Sequence, residues 1–137
     1  MEKKSRKKIK AVVARGKRKE AVARATVREG KGTVRVNGVL LGALPSALLR
    51  ETVAEPLGFV EPKYDADITI RGGGISGQAQ AARTALAKAL VEFTGDDALR
   101  QRVIERDRTL LVEDSRRVEP KKFKGPKARA RFTKSYR

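Results

Sequence analysis

YDADITIRGGGISGQAQAARTALAKALVEF, residues 64–93, is the stretch from which the fold can be read. Its first eight residues put Ile68 and Ile70 on one face and Asp65, Asp67, Thr69 and Arg71 on the other. That is the period-two pattern of a strand buried on one side. Gly72-Gly73-Gly74 follows. From about Ser76 to Phe93, the positions Ala79, Ala82, Leu86, Ala89 or Leu90, and Phe93 recur at helical spacing. Alanine favours the helix, and its small side chain lets the helix lie close on a sheet. Gly95 ends the pattern.

Upstream, Val12 to Ala14 begins a strand that leads into the basic run Arg15-Gly16-Lys17-Arg18-Lys19. Residues 21–28, AVARATVR, alternate small or β-branched side chains with Arg24 and Arg28, which predicts a half-buried strand. Gly30-Lys31-Gly32 predicts a turn and Thr33 to Val36 the returning strand of a hairpin. Asn37-Gly38 is a second tight turn, because both residues tolerate positive φ. A short helix is expected over Ser46 to Glu55, with Leu48, Leu49 and Val53 on one side and Pro56 and Gly58 stopping it. Downstream, Asp97 to Arg106 reads as a charged helix and Thr109 to Val112 as a last short strand. Strands and helices mix without strict alternation. The expected class is therefore α+β, a small mixed-sheet domain packed by helices over residues 11–114, with a basic N-terminal arm (1–10) and an extended basic C-terminal tail (115–137).

Charge separates these parts. The 137 residues carry a formal net charge of +17 and contain no Cys or His. Residues 1–19 hold ten basic groups and one acid, residues 115–137 hold the same, and the part between is near neutral at −1. Such a middle folds by ordinary burial. The tail, SRRVEPKKFKGPKARARFTKSYR, has no apolar periodicity, and Pro120, Gly125 and Pro126 interrupt any helix. It cannot bury enough surface to offset its ordering entropy, so it should be disordered alone in water. A dense polyanion supplies the missing free energy; duplexes place a phosphate charge about every 1.7 Å of axis. A plain solvated basic tail or an import address is the competing reading. Arginine forks suit phosphate, and Phe123, Phe132 and Tyr136 among them suit stacking on unpaired bases, which favours nucleic acid. Phe123, close to the domain, is alternatively an anchor of the tail.

Zinc fingers, disulfides and histidine-assisted nucleophiles all need Cys or His and are excluded, and no catalytic residue, metal ligand or cofactor is assigned. No apolar run approaches the length of a membrane span. The patch Ala11 to Ala14 is too short for a secretory signal, which points to the cytoplasm. Gly72 to Gly77 matches G-x-G-x-x-G between a strand and a helix. Glu92, twenty positions beyond Gly72, falls near the helix end rather than on a following strand, and too little chain remains for a dinucleotide fold. Two uses of the glycines stay open: close packing of strand on helix, or a phosphate held by N–H groups at the helix N-terminus, with Arg71 and Gln78 as flanking donors.

These residues together resemble one family, that of the ninth small-subunit ribosomal protein, whose eukaryotic counterpart is numbered sixteen. The resemblance rests on GKRKEAVAR at Gly16 to Arg24, Val-Asn-Gly at Val36 to Gly38, and RGGGISGQ at Arg71 to Gln78. It is completed by Glu-Pro-Lys-Lys-Phe at Glu119 to Phe123 and Lys-Ser-Tyr-Arg at Lys134 to Arg137. The last two are similar to the archaeal and eukaryotic branch. Where those relatives usually read Gly-Gly-Pro-Gly, this chain has Lys124-Gly125-Pro126-Lys127 and is more basic.

The resemblance implies a domain of the ribosomal protein S5 domain 2-like type, with a left-handed βαβ crossover, against the usual right-handed rule. It also implies a structural constituent of the small ribosomal subunit, not an enzyme, with small-subunit rRNA and neighbouring head proteins as partners and no small-molecule substrate or membrane. The residues so assigned to rRNA are Arg15, Lys17, Arg18 and Lys19 near the start and Arg71, Gly73, Gly74, Ser76 and Gln78 at the loop. In the tail they are Arg116, Arg117, Lys121, Lys122, Lys124, Lys127, Arg129 and Arg131. Lys134, Tyr136 and Arg137 are assigned to the anticodon stem-loop of P-site tRNA. An architectural DNA-binding protein with histone-like arms fits the composition as well, and a nucleotide-using enzyme on the glycine loop is the third reading.

Overall fold

The computed structural model describes residues 10–135, so the N-terminal arm before Lys10 and the terminal Tyr136 and Arg137 lie outside the described residues. Strand β1 (Ala11–Arg18) turns at Lys19-Glu20 into β2 (Ala21–Glu29). Then come β3 (Val34–Val36), β4 (Val39–Leu40) and helix α1 (Ala47–Ala54), which runs on into a 3-10 turn over Glu55–Phe59. Strand β5 (Tyr64–Arg71), helix α2 (Ile75–Thr94), helix α3 (Asp97–Arg106) and a 3-10 turn (Arg108–Leu110) complete the order. The result is a mixed α+β domain.

The five strands form one sheet in the order β1-β2-β5-β3-β4. The expected hairpin between Ala21–Arg28 and Thr33–Val36 does not form. β2 instead pairs antiparallel with β5 along eight residues, from Val22 opposite Arg71 to Glu29 opposite Tyr64. A three-residue β3 offers far fewer ladder bonds, so the longer strand takes that edge. The Gly30–Thr33 turn wraps the start of β5: Gly30 N donates to Lys63 O at 3.2 Å, and the Lys31 and Thr33 amides donate to Asp65 Oδ1 at 3.0 and 2.9 Å. The chain emerges beyond β5, and β3 runs parallel to it. Asn37 and Gly38, at φ 49° and 83°, make the expected turn into β4. Asn37 also extends the sheet, its Oδ1 accepting from Ile70 N at 2.8 Å.

Helix α2 lies across β1, β2 and β5, with α1 beside it. Its buried face is mostly alanine (Ala79, Ala81, Ala82, Ala85, Ala89, with Leu86 and Leu90), set against Ala14, Ala23, Ala25 and Ile68. Small residues on both sides bring helix and sheet close. Gly16 is the extreme case: a Cβ there would sit 2.2 Å from Ala81 O and 2.5 Å from Ala85 N.

Helix α1 starts where expected, with Ser46 Oγ accepting from Leu49 N at 3.3 Å. Val53 and Leu49 face the core, but Leu48 is 51% exposed, since it is turned well away from Val53 around the helix. The α-helix ends at Ala54, just before Pro56 as expected, and the chain continues as a 3-10 segment with Pro56 in its first turn, where its missing N–H costs little.

The expected strand at Thr109–Val112 is instead the 3-10 turn and its exit. Asp107 curls the chain by accepting from Thr109 N and Oγ1 at 2.8 and 2.7 Å. That drops Leu110 into a second small core with Ala87, Leu99 and Val103, which ties α3 to the back of α2.

Candidate nucleic-acid interface

Helices α1 and α2 lie on one face of the sheet, and among the described residues the other face is open. Alternation sends Val13, Arg15 and Lys17 of β1 to that face. Val22, Arg24, Thr26 and Arg28 of β2, Arg35 of β3, and Asp65, Asp67, Thr69 and Arg71 of β5 join them. The register sets Arg15 opposite Arg24 and Arg24 opposite Thr69; in the next row Lys17 faces Val22 and Val22 faces Arg71. A depression of about 470 Å³ lies there, lined by Val13, Val22, Arg24, Thr26, Thr69 and Arg71.

The charge on this face is polarised. At one end Arg28 pairs with Asp67. Asp65 is committed to the 30–33 turn, and the Thr33 and Lys31 amides hold its carboxyl below the usual carboxylate range. At the other end, among the described residues, Arg15, Lys17, Arg24 and Arg71 have no ion-pair partner.

The glycine loop stands at that same cationic end. Gly72 and Gly73 have positive φ, and a Cβ on either would come within 3 Å of Glu20 O or of the Ala21 backbone in the β1–β2 connection. Close packing therefore requires these two glycines. Gln78 Nε2 donates to Gly72 O at 3.0 Å and braces the loop from inside. Gly74 differs: its φ is −100°, and a Cβ there would meet nothing within 4 Å. It precedes α2, whose first turn no side chain caps and where Ser76 is exposed. An uncapped helix N-terminus with its donors outward favours an anion. Lys19, at φ 52°, is exposed on the adjacent turn.

Sequence had grouped Arg18 with its cationic neighbours, but the structure separates it from them. Its guanidinium turns to the helix side and pairs with Asp114, with only 16% of the side chain exposed. This contact belongs to a strap, residues 107–116, laid along α2. Lys88 Nζ bridges Glu113 Oε1 at 2.9 Å and Arg15 O at 3.3 Å, and Thr84 Oγ1 donates to Thr109 O at 3.4 Å. Arg83 pairs with Asp107, and its Nε lies 2.8 Å from Glu55 Oε2 but off the line of its N–H, a Coulombic contact. Burial pushes the Asp107 carboxyl up, yet the Thr109 and Arg83 hydrogen bonds outweigh it and hold the group low.

Removing the strap's pin should be measurable. Arg18→Ala and Asp114→Asn each cost about 1 kcal/mol, and the double variant costs little more than either. Amide exchange at residues 112–116 should quicken in all three. Additive losses in the cycle would show that the two groups do not act together.

Beyond the strap, the described residues carry no helix or strand. Arg116 grips Asp114 with two nitrogens, at 2.9 and 2.7 Å. The tail's single acid, Glu119, takes a bidentate pair from Arg129 at 2.9 and 2.7 Å, and this lowers its pKa. Arg131 Nη1 donates to Phe123 O at 3.3 Å, closing a turn around buried Gly125. Exposed pairs of this kind contribute only about 0–1 kcal/mol, so phosphate can displace them. Lys121, Lys122, Lys124, Lys127 and Lys134 are exposed, as is Arg117, which reaches only nearby carbonyls. Phe123 and Phe132 are 86% and 71% exposed, so Phe123 does not anchor the tail by burial.

The structure thus brings Arg15, Lys17 and Arg71 together with the glycine loop. It adds Arg24 and Thr69, which the sequence reading had placed only on the polar side of strands, and Thr26, which it had not singled out. Arg35 was missed; it alternates with buried Val34 and Val36, a pattern too short to weigh alone.

A one-faced α+β domain with cation in excess on its bare sheet and at its chain end defines a basic protein suited to a polyanionic partner. Residues 16–137 match the family model described as "Ribosomal protein S9/S16". The chain is also 48% identical over 132 residues to the "Small ribosomal subunit protein uS9" of Methanothrix thermoacetophila, covering 94% of this chain and 100% of that protein. It belongs to the ribosomal protein S9/S16 family, a family of structural constituents of the small ribosomal subunit rather than of enzymes.

Proposed function

We propose that the chain binds small-subunit rRNA in the head of the subunit, in the cytoplasm. Its terminal residues Lys134, Tyr136 and Arg137 reach the anticodon stem-loop of P-site tRNA during translation. The observation that carries the rRNA reading is the concentration of ten basic residues against one acid in residues 115–137, joined to a near-neutral domain. Such a segment holds phosphate by charge, and phosphate contacts position a protein without reading sequence. The tRNA reading is supported by the closing Lys-Ser-Tyr-Arg. Gly74, Ser76 and the exposed cations around the glycine loop form a second phosphate contact under this reading.

The neighbouring head proteins have a surface suited to them as well. Val36 to Leu49 contains no charged residue in a chain that is 36% charged. Val39, Leu40 and Leu48 stand 44%, 52% and 51% exposed along it. RNA gains little from such a surface, and an apolar protein patch gains much. The parallel β3–α1–β5 crossover likewise supports a domain of the S5 domain 2-like type.

Deleting Lys134 to Arg137 tests the tRNA contact. Small subunits should still assemble with the shortened chain, while P-site tRNA dissociates about tenfold faster in a filter-binding chase. Loss of assembly, with the chain no longer sedimenting with small subunits, would instead make the tip an rRNA anchor.

A further inference from the structure

We propose that the open face of the sheet is a docking site for double-helical RNA, held by phosphate and ribose with no reading of base identity. This deepens the RNA-binding reading above and rests on it. The face is cationic where it is unopposed: Arg24 and Arg71 line the depression, Arg15 and Lys17 stand beside it on β1 opposite Arg24 and Val22, and none of the four has an acid partner among the described residues. These four are fixed in spacing by the strands that carry them. Rows two residues apart lie about 6.6 Å from each other, and neighbouring strands about 4.8 Å. A preset array of charge suits a rigid backbone better than a mobile one, because neither side loses much freedom on docking.

Two features select the form of RNA. The outward positions of the five strands carry no aromatic side chain, and Tyr64, the aromatic residue of β5, points inward and is 3% exposed. Surfaces that hold single strands depend on rings for bases to stack on, and this face has none. Between the arginines it offers instead two threonine hydroxyls, Thr26 and Thr69, and the flat apolar tops of Val13 and Val22. The minor groove of A-form RNA is wide and shallow, with 2′-hydroxyls along it, so it meets such a surface by shape and by hydroxyl contact. Unpaired RNA is left to the tail, where Phe123 and Phe132 are exposed among the charges.

The test uses the full chain and fluorescence anisotropy with a short blunt RNA duplex, its two separate strands, and a DNA duplex of the same sequence. The Arg24→Ala/Arg71→Ala protein should bind the RNA duplex at least about tenfold more weakly. The slope of log affinity against log salt should fall by about two, one per phosphate contact removed. Single-strand affinity should change less than about threefold, since the tail supplies that contact. Thr26→Val/Thr69→Val should erase the preference for RNA over DNA duplex. Arg28→Ala, at the end of the face where Asp65 and Asp67 repel phosphate, should weaken duplex binding less than about threefold. All five positions are on the solvent side, and unchanged melting curves confirm that folding is kept. Unaltered duplex affinity in the arginine pair overturns the proposal, and so do equal losses on duplex and single strands. If the wild-type chain bound no RNA of any form, the broader reading would fall with it.

Discussion

Gly16→Ala should destabilise the domain by about 3 kcal/mol and lower its melting midpoint by about 10 °C, the largest single-residue effect expected outside the larger core side chains. The added methyl would lie 2.2 Å from Ala81 O and 2.5 Å from Ala85 N, both backbone atoms of α2. A flexible side chain can rotate away from such a contact, but a helix backbone cannot. Relief requires α2 to lift from β1, and that opens the alanine-lined seam over β1 and β2. Gly74→Ala is the matched control, because a Cβ there meets nothing within 4 Å and its φ of −100° suits any residue. It should stay within about 0.5 kcal/mol of wild type. Melts followed by circular dichroism compare the two. A midpoint for Gly16→Ala within two or so degrees of the control would mean that helix and strand are not in the close contact described.

Ending the chain at Asp114 should have the largest effect on binding and almost none on stability. The cut removes ten of the 33 basic residues and a net charge of +9. If half or more of those cations meet phosphates, the slope of log affinity for RNA against log salt shrinks by about four to nine. Affinity near physiological salt then falls about a thousandfold. The strap keeps its Arg18–Asp114 and Lys88–Glu113 pairs, and the described residues of the tail contribute no buried side chain to either core. The melting midpoint should therefore move by no more than a few degrees. An unchanged salt slope would show that the tail's charges stay solvated in the complex. A collapse in stability would show that the tail is part of the fold.

Some of this was legible before any coordinates. β5 and α2 were readable to within a residue, because each carries a long periodic pattern and its partner surface is simply apolar. Asn37-Gly38 and Ser46 were readable because turn and cap chemistry is local. Leu48 was misplaced because adjacent leucines in a short helix leave the buried side undetermined. The segment 109–112 was misread because β-branched and apolar residues suggested a strand, while the Asp107 side chain, two residues from Thr109, bent the backbone first.

By itself, then, the sequence determined the cationic ends, the near-neutral α+β centre, the family resemblance and the identity of the longest strand and helix. Only the tertiary structure decided that β3 lies beyond β5. It also decided that Arg18 is a tie for the strap, and that Arg15, Lys17, Arg24 and Arg71 from three strands share one uncovered face. Periodicity reports which side of an element is buried, since that depends on residues a few positions apart. It is silent about which element lies alongside, since strand order is settled by competition between ladders whose members are distant in the chain.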